Sequence, residues 1–361
     1  MAEVPDNHSS PARRSREIWV AGYPSHYGGA DTELDHQINL WLSCGVEVHL
    51  VPNAEPEAAM RADLNARGAH THAYEPGIFR DKVVVSYCNG PFLERLPKIC
   101  DAGRPRLVAW ANCMTHSFRA ELECHRQGLI DLFLFQSRYQ REQLIASLAA
   151  IRPVQELERY RPFFDIERWH APRGESTESA LEATDKSAYY GIGRISRDDA
   201  TKFPGDLWRT FSRVTAPHPI KCFVLGFGPN ARKKCGVPLD AHGLDWMFWS
   251  PAAIPARKLY ARIHTLMHQT GGSRENWPRV AFEAWASRVA VIAERDYAWP
   301  ELIDDGVTGV LCSSSDEFAF RASELAFNDS LRQRIVESAA KRLVSEHGNR
   351  ERSFQAWNQI L

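Results

Sequence analysis

Four groups of residues have types and spacing suited to a charged, oxygen-rich ligand. Glu275 and Glu283 lie eight apart, with Pro278 between them. Proline suits the first turn of a helix, so Glu275 falls in the loop ahead of that helix, after Gly271-Gly272, and Glu283 falls inside it. A carboxylate accepts two hydrogen bonds from a vicinal diol. One carboxylate at a sugar and one at a ribose is therefore sensible chemistry, although spacing alone favours a capping carboxylate and a surface helix glutamate. Arg194 follows an apolar strand directly, and Lys202 follows a polar loop. Two cations on a strand-end loop suit a diphosphate, whose charge must be neutralised as it departs. The plainer alternative is two solvated cations beside Asp198 and Asp199. At Gly28-Gly29, backbone amides can approach an anion closely, and the following helix turns its positive end toward it. A tight turn without a ligand is the alternative. Gly226-Phe-Gly228 lacks a third glycine in register for a dinucleotide fingerprint and reads as a turn.

Other patterns exclude function classes. His70 and His72 alternate as in a strand, and His264 and His268 share a helical spacing. Neither pair sits in an H-E-x-x-H pattern, so no metal site is expected. Neither a Walker loop nor a G-x-S-x-G elbow is present. None of the eight cysteines forms a C-x-x-C pair. Thiols inside apolar runs pack as small hydrophobes, which fits a reducing, cytoplasmic setting. No apolar run approaches the ~20 residues needed to span a bilayer, so membrane insertion is not expected. The net charge of −1 over 361 residues argues against a dedicated nucleic-acid binder, and a nucleic-acid acceptor is not favoured.

The elements that must position these residues alternate. After a polar tail over residues 1–16, expected to be disordered and carrying Arg13, Arg14 and Arg16, the chain reads strand (18–21), glycine loop, helix (30–43), strand (46–51). This βαβ unit implies a parallel sheet. Short, wholly apolar runs at 83–86, 107–110 and 132–135 suit strands buried on both faces. A first domain over 17–155 is followed by a linker over 156–186, rich in proline and then in Ser, Thr and Glu. A second alternation fills 187–345, with strands expected at 189–193, 220–225, 247–249, 265–268 and 289–292. Residues 346–361 are expected to be helical and to pack back on the first domain. The fold class is therefore α/β, with two doubly wound parallel sheets facing across a cleft. Ligands bind such sheets at the carboxyl ends of the strands.

Taken in order, these features resemble the retaining glycosyltransferases of family GT4, which have the GT-B fold of two Rossmann-like domains. Glu275-Asn-Trp-Pro-Arg-Val-Ala-Phe-Glu283 resembles the family's E-x7-E segment, and Glu301-Leu-Ile-Asp-Asp-Gly306-Val-Thr-Gly309 its E-x-I-x-D-G-x-x-G stretch. Gly28-Gly29, Gly193-Arg194 with Lys202, Leu225-Gly-Phe-Gly228 and Arg161-Pro-Phe-Phe-Asp165 also match. The resemblance implies sugar transfer from a nucleoside-diphosphate donor, a UDP-sugar being favoured, with neither metal nor further cofactor. It implies that Arg194 and Lys202 hold the diphosphate, Glu275 the donor sugar and Glu283 the ribose. Gly28 and Gly29 would approach the donor and shape the acceptor side, and His116 would line the reaction centre. The acceptor is left open. A non-catalytic nucleotide- or glycan-binding module and a nucleotide-sugar epimerase of the same fold are the alternatives. The chain departs from the pattern at Ser287-Arg288, where the family has a Gly-Pro turn. It departs again at Arg295-Asp-Tyr-Ala-Trp-Pro300, where glycines are usual.

Overall fold

The computed structural model describes residues 16–25, 28–171, 186–236 and 244–361. The expected tail lies outside the described residues except for Arg16, as does the polar stretch 175–185 of the expected linker.

Among the described residues, twelve strands form two six-stranded sheets, and all their pairings are parallel. The first holds β1 (Glu17–Ala21), β2 (Glu47–Val51), β3 (His70–Thr71), β4 (Val83–Tyr87), β5 (Leu107–Ala111) and β6 (Leu132–Phe133), in the order β3-β2-β1-β4-β5-β6. The second holds β7 (Tyr190–Ile195), β8 (Ile220–Leu225), β9 (Asp245–Trp249), β10 (Thr265–His268), β11 (Ala290–Glu294) and β12 (Val310–Cys312), in the order β12-β11-β10-β7-β8-β9. The run Val83-Val-Val-Ser-Tyr87 is buried throughout, because helices cover both faces of a parallel sheet. Each sheet accordingly has two apolar clusters, one per face.

Strand order reverses between β1 and β4 in the first sheet and between β7 and β10 in the second. At such points the outgoing loops diverge and leave a crevice at the carboxyl ends. The loops after Ala21, Tyr87, Ile195 and His268 therefore frame the places where a ligand fits.

The helices that close these loops start where the sequence supplies a cap. Asn89 accepts from the Phe92 amide at 3.1 Å to open the helix Gly90–Gly103. Ser137 accepts from the Gln140 amide at 2.9 Å to open the helix Arg138–Ala149. Such a side chain satisfies an amide that has no partner within its own helix.

The described part of the connection between the sheets, up to residue 171, is packed into both. Phe163 packs into the core of the first domain and Phe164 into that of the second. The Asp165 amide donates to His36 at 2.6 Å, and its carboxylate caps the short helix Ile166–His170. At the other end of the chain, Phe354, Ala356 and Trp357 join the first domain's core. Trp357 lies edge-on to Trp41, with ring centroids 4.9 Å apart.

Candidate functional site

Arg194, near the end of β7, is wholly buried. The sequence suggested a cation open on a loop, but the guanidinium points into the protein. It donates to the carbonyls of Ile195 (2.6 Å) and Lys202 (2.5 Å), and its Nη1 lies 2.6 Å from Nδ1 of His268. Arginine only donates, so Nδ1 of His268 accepts and its proton sits on Nε2. That nitrogen faces Oε1 of Glu275 at 3.4 Å. Lys202 donates to the same oxygen at 2.7 Å. Arg194, Lys202 and Glu275 thus meet at the switch point of the second sheet, joined by His268.

Charge states follow from the packing. Burial, reinforced by Arg194, pushes His268 down to about 4, so it is neutral at pH 7. Burial also pushes Arg194 down to about 10, while Glu275 and Glu294 sustain its charge. Burial works against ionisation of Glu275, but the hydrogen bond from His268 and the Lys202 ammonium outweigh it and hold the carboxyl well below its usual range. At neutral pH the site therefore carries two cations and one carboxylate around a neutral imidazole.

The Glu275 loop is seated by close backbone contact. The Gly271 and Ser273 amides both donate to the Thr201 carbonyl, at 2.9 and 3.0 Å. A Cβ on Gly271 would come within 1.9 Å of the Phe203 carbonyl oxygen, so only glycine fits there. Part of the bulky segment 295–300 reinforces this seat, while its Tyr297 meets Tyr139 of the other domain, with ring centroids 5.9 Å apart. Trp299 is buried against His268, with ring centroids 5.1 Å apart, and the Ala298 amide donates to the Glu275 carbonyl at 3.1 Å. The other departure, Arg288, holds a left-handed φ of 58° at the turn after the helix Arg279–Ala286.

Glu283 lies on that helix, as its spacing implied, and accepts from the buried Tyr260 hydroxyl at 3.1 Å. Tyr260 in turn lies within electrostatic reach of Arg194. The Gly226-Phe-Gly228 turn leads into a helix whose start is closed by another loop. Asp198 accepts from the Asn230 and Ala231 amides at 3.2 and 2.8 Å.

Gly28, Gly29 and His116 belong to the opposite sheet. Gly28 precedes the helix Gly29–Ser43 with φ 106°, a conformation that favours glycine. His116 is exposed in the loop after β5. Asn112 shapes that loop, donating to the His116 carbonyl at 3.2 Å and to both oxygens of buried Glu121.

Direct hydrogen bonds tie the two domains together beside Glu275. Ser137 donates to Asn276 at 2.8 Å, and Asn276 donates to Gln136. Gln136 reaches Glu33, which also accepts from Tyr160 at 2.9 Å. Farther along the junction, Glu301 accepts from the Arg138 and Tyr139 amides at 2.8 and 2.6 Å. A cavity of about 670 Å3 opens there, lined by Arg159, Arg161, Trp277, Arg342 and Arg352 among others.

His268, Tyr260 and Asn276 were missed in the sequence. His268 ends a strand at the carboxyl edge of the sheet, in one of the loops singled out for a ligand. Position was therefore the available signal, and the pairing with His264 obscured it. His264 instead accepts from the Gly191 amide at 2.9 Å and stacks on Tyr190.

Residues 192–342, which hold Arg194, Lys202, Glu275 and Glu283, match the family Glycosyl transferases group 1. No curated protein matches the chain. Among solved structures, HepE of Anabaena in complex with UDP superposes with a TM-score of 0.69 at 14% identity, covering 96% of this chain and 99% of that one. A glycosyltransferase from Rickettsia africae gives 0.69 at 12% identity, covering 96% and 98%. Sucrose-phosphate synthase from Thermosynechococcus elongatus gives 0.59 at 13%, covering 95% and 98%. The fold is thus that of the GT-B glycosyltransferases: α/β, with two parallel six-stranded sheets. No helix among the described residues is long and apolar enough to cross a membrane.

Proposed function

We propose that the protein is a cytoplasmic, retaining glycosyltransferase of the GT4 type that takes its sugar from a nucleoside-diphosphate donor. The observation that carries this reading is the Arg194–His268–Glu275–Lys202 network. It lies at the switch point of the second sheet, within the segment that matches Glycosyl transferases group 1. A UDP-sugar is the favoured donor; HepE, with the same fold, is solved with UDP and with UDP-glucose.

In this reading Lys202 exchanges its contact with Glu275 for the diphosphate and neutralises it as the bond to the sugar breaks. A fixed ammonium in a site shielded from water stabilises the leaving group without reorganisation at the moment of reaction. Arg194 acts from behind. Its buried charge adds to the local positive field, and its hydrogen bond fixes the Lys202 backbone. Glu275, kept ionised, accepts from the hydroxyls of the donor sugar. Glu283, steadied by Tyr260, accepts from the ribose. The acceptor enters from the first domain between Gly28-Gly29 and His116 and attacks the face that the diphosphate leaves. Lys202 and Arg194 take the part that a metal ion plays in metal-dependent transferases. Closure of the cleft limits hydrolysis.

Proton NMR tests this reading. The protein is incubated with a panel of α-linked UDP- and GDP-sugars, and the released or transferred sugar is observed before it mutarotates. A product that is α at the anomeric carbon is expected, with UDP or GDP released alongside. A β product would overturn retention. Conversion of the donor to an epimer, or binding without turnover, would overturn the transferase reading.

A further inference from the structure

The crevice of the first sheet contains a pair of thiols that the proposed transfer chemistry does not use. Cys88 follows β4 and Cys113 lies two residues beyond β5, at the carboxyl ends of neighbouring strands. Both backbones are left-handed, with φ of 47° and 61°, an uncommon conformation for residues other than glycine. The Cys88 amide donates to the Ala111 carbonyl at 2.8 Å, and the Cys113 thiol points at the same oxygen from 3.6 Å. The two thiols lie within interaction range of each other, and both are only partly buried. Adjacent strands run about 4.8 Å apart, a spacing compatible with the ~5.5–6 Å between Cα atoms of a disulfide.

The two sulfurs are unequal. The neighbouring Cys113 thiol, helped by the charge of Arg197, holds the Cys88 thiol below its usual value despite burial. The same contact, with burial and the nearby Glu33, raises Cys113 well above its own. A thiol that ionises easily beside one that stays protonated is the arrangement of an attacking and a resolving cysteine. The other cysteines lack it: Cys124, Cys222, Cys235 and Cys312 are buried, and burial raises the thiols of Cys44 and Cys100.

We propose that Cys88 and Cys113 form a reversible oxidation site that hydrogen peroxide converts to a disulfide. The Cys88 thiolate attacks one peroxide oxygen. The O–O bond breaks, an S–O bond forms, and hydroxide leaves to become water. Cys113 then attacks the sulfenic sulfur. The S–S bond forms, the S–O bond breaks, and the second hydroxide leaves as water with the Cys113 proton. Two thiols lose two electrons, and one peroxide becomes two waters. Cys113 follows Asn112, which holds the loop carrying His116. The disulfide would thus pin that loop to the turn after β4 and narrow the crevice beside Gly28-Gly29. This last effect rests on the proposed function, whereas the oxidation chemistry does not.

Non-reducing peptide mapping by mass spectrometry, before and after peroxide, tests the site on the unaltered chain. A Cys88–Cys113 cross-linked peptide lighter by two hydrogens is expected, reversed by dithiothreitol. In Cys113→Ser, dimedone should trap a sulfenic acid at Cys88; in Cys88→Ser, Cys113 should remain unlabelled. Two free, alkylatable thiols after peroxide, or dimedone on Cys113 alone, would overturn the proposal. Donor turnover measured on the same samples bears only on the closure of the crevice. It should fall on oxidation and return with dithiothreitol, and unchanged turnover in the cross-linked protein would overturn that effect.

Discussion

At the scale of single residues, the site depends on which atoms are already occupied. Arg194 spends its donors on two carbonyls and one imidazole, so it shapes the site from within. Lys202, paired with Glu275, keeps a side chain 18% exposed, and in the proposed reading it is the cation that meets the ligand. None of this is written in the local sequence. A charged residue after a strand is ordinarily exposed, and the partner that buries Arg194 lies 74 residues away. The glutamates were legible because Pro278 fixes where the helix begins. The role of His268 was not, because only the sheet brings it to Arg194. Gly271 tests the seating of the Glu275 loop. Gly271→Ala forces a methyl group against the Phe203 carbonyl and is expected to cost about 1–3 kcal/mol. Thermal unfolding should show a lower Tm, and donor turnover should fall because Glu275 shifts with its loop.

At the scale of elements, a helix of one domain is capped by a residue of the other. Glu301 fills the start of the helix Arg138–Ala149, where a carboxylate meets free amides and the positive end of the helix dipole. Glu301→Ala is expected to cost about 0.5–2 kcal/mol. Hydrogen exchange should show faster opening at the first turn of that helix, and protection of β4 and β5 should stay unchanged. The strands of both sheets were largely readable, since wholly apolar runs such as Val83-Val-Val mark burial on two faces. Several helices were not. Ser315–Phe327 follows a polar serine run that reads as loop, yet it starts on a cap, with Ser314 accepting from the Glu317 amide at 3.2 Å. The helix Ile166–His170 has only five residues and is held by Asp165, so periodicity had too few turns to register.

At the scale of the whole molecule, the two domains share a buried polar chain from Tyr87 through Tyr160, Glu33 and Gln136 to Asn276. Burial pushes Glu33 up to about 7, although Arg279 of the second domain, Tyr160 and Gln136 all favour its charge. The folded protein therefore keeps a proton that the unfolded chain gives up near the ordinary value of 4.5. Stability associated with Glu33 is present below that value and is lost as pH rises through about 7. Comparing Tm for the parent and Glu33→Gln at pH 5 and pH 8 checks this: the parent should lose stability relative to the variant at the higher pH. The plan of two parallel sheets was legible from the repeated strand–helix alternation. The stitching of the domains by Phe163 and Phe164 was not, because the sequence does not say which core an aromatic side chain enters.

The central claim is that Lys202 and Glu275 work on the bond between a sugar and a nucleoside diphosphate. The most direct measurement is the rate of UDP or GDP release from a panel of nucleotide sugars, by the parent, Lys202→Ala and Glu275→Gln, each first shown by circular dichroism to be folded. The parent should release nucleotide from at least one donor, and each variant should be slower by about 100-fold or more. Release by both folded variants at the parental rate would contradict the account.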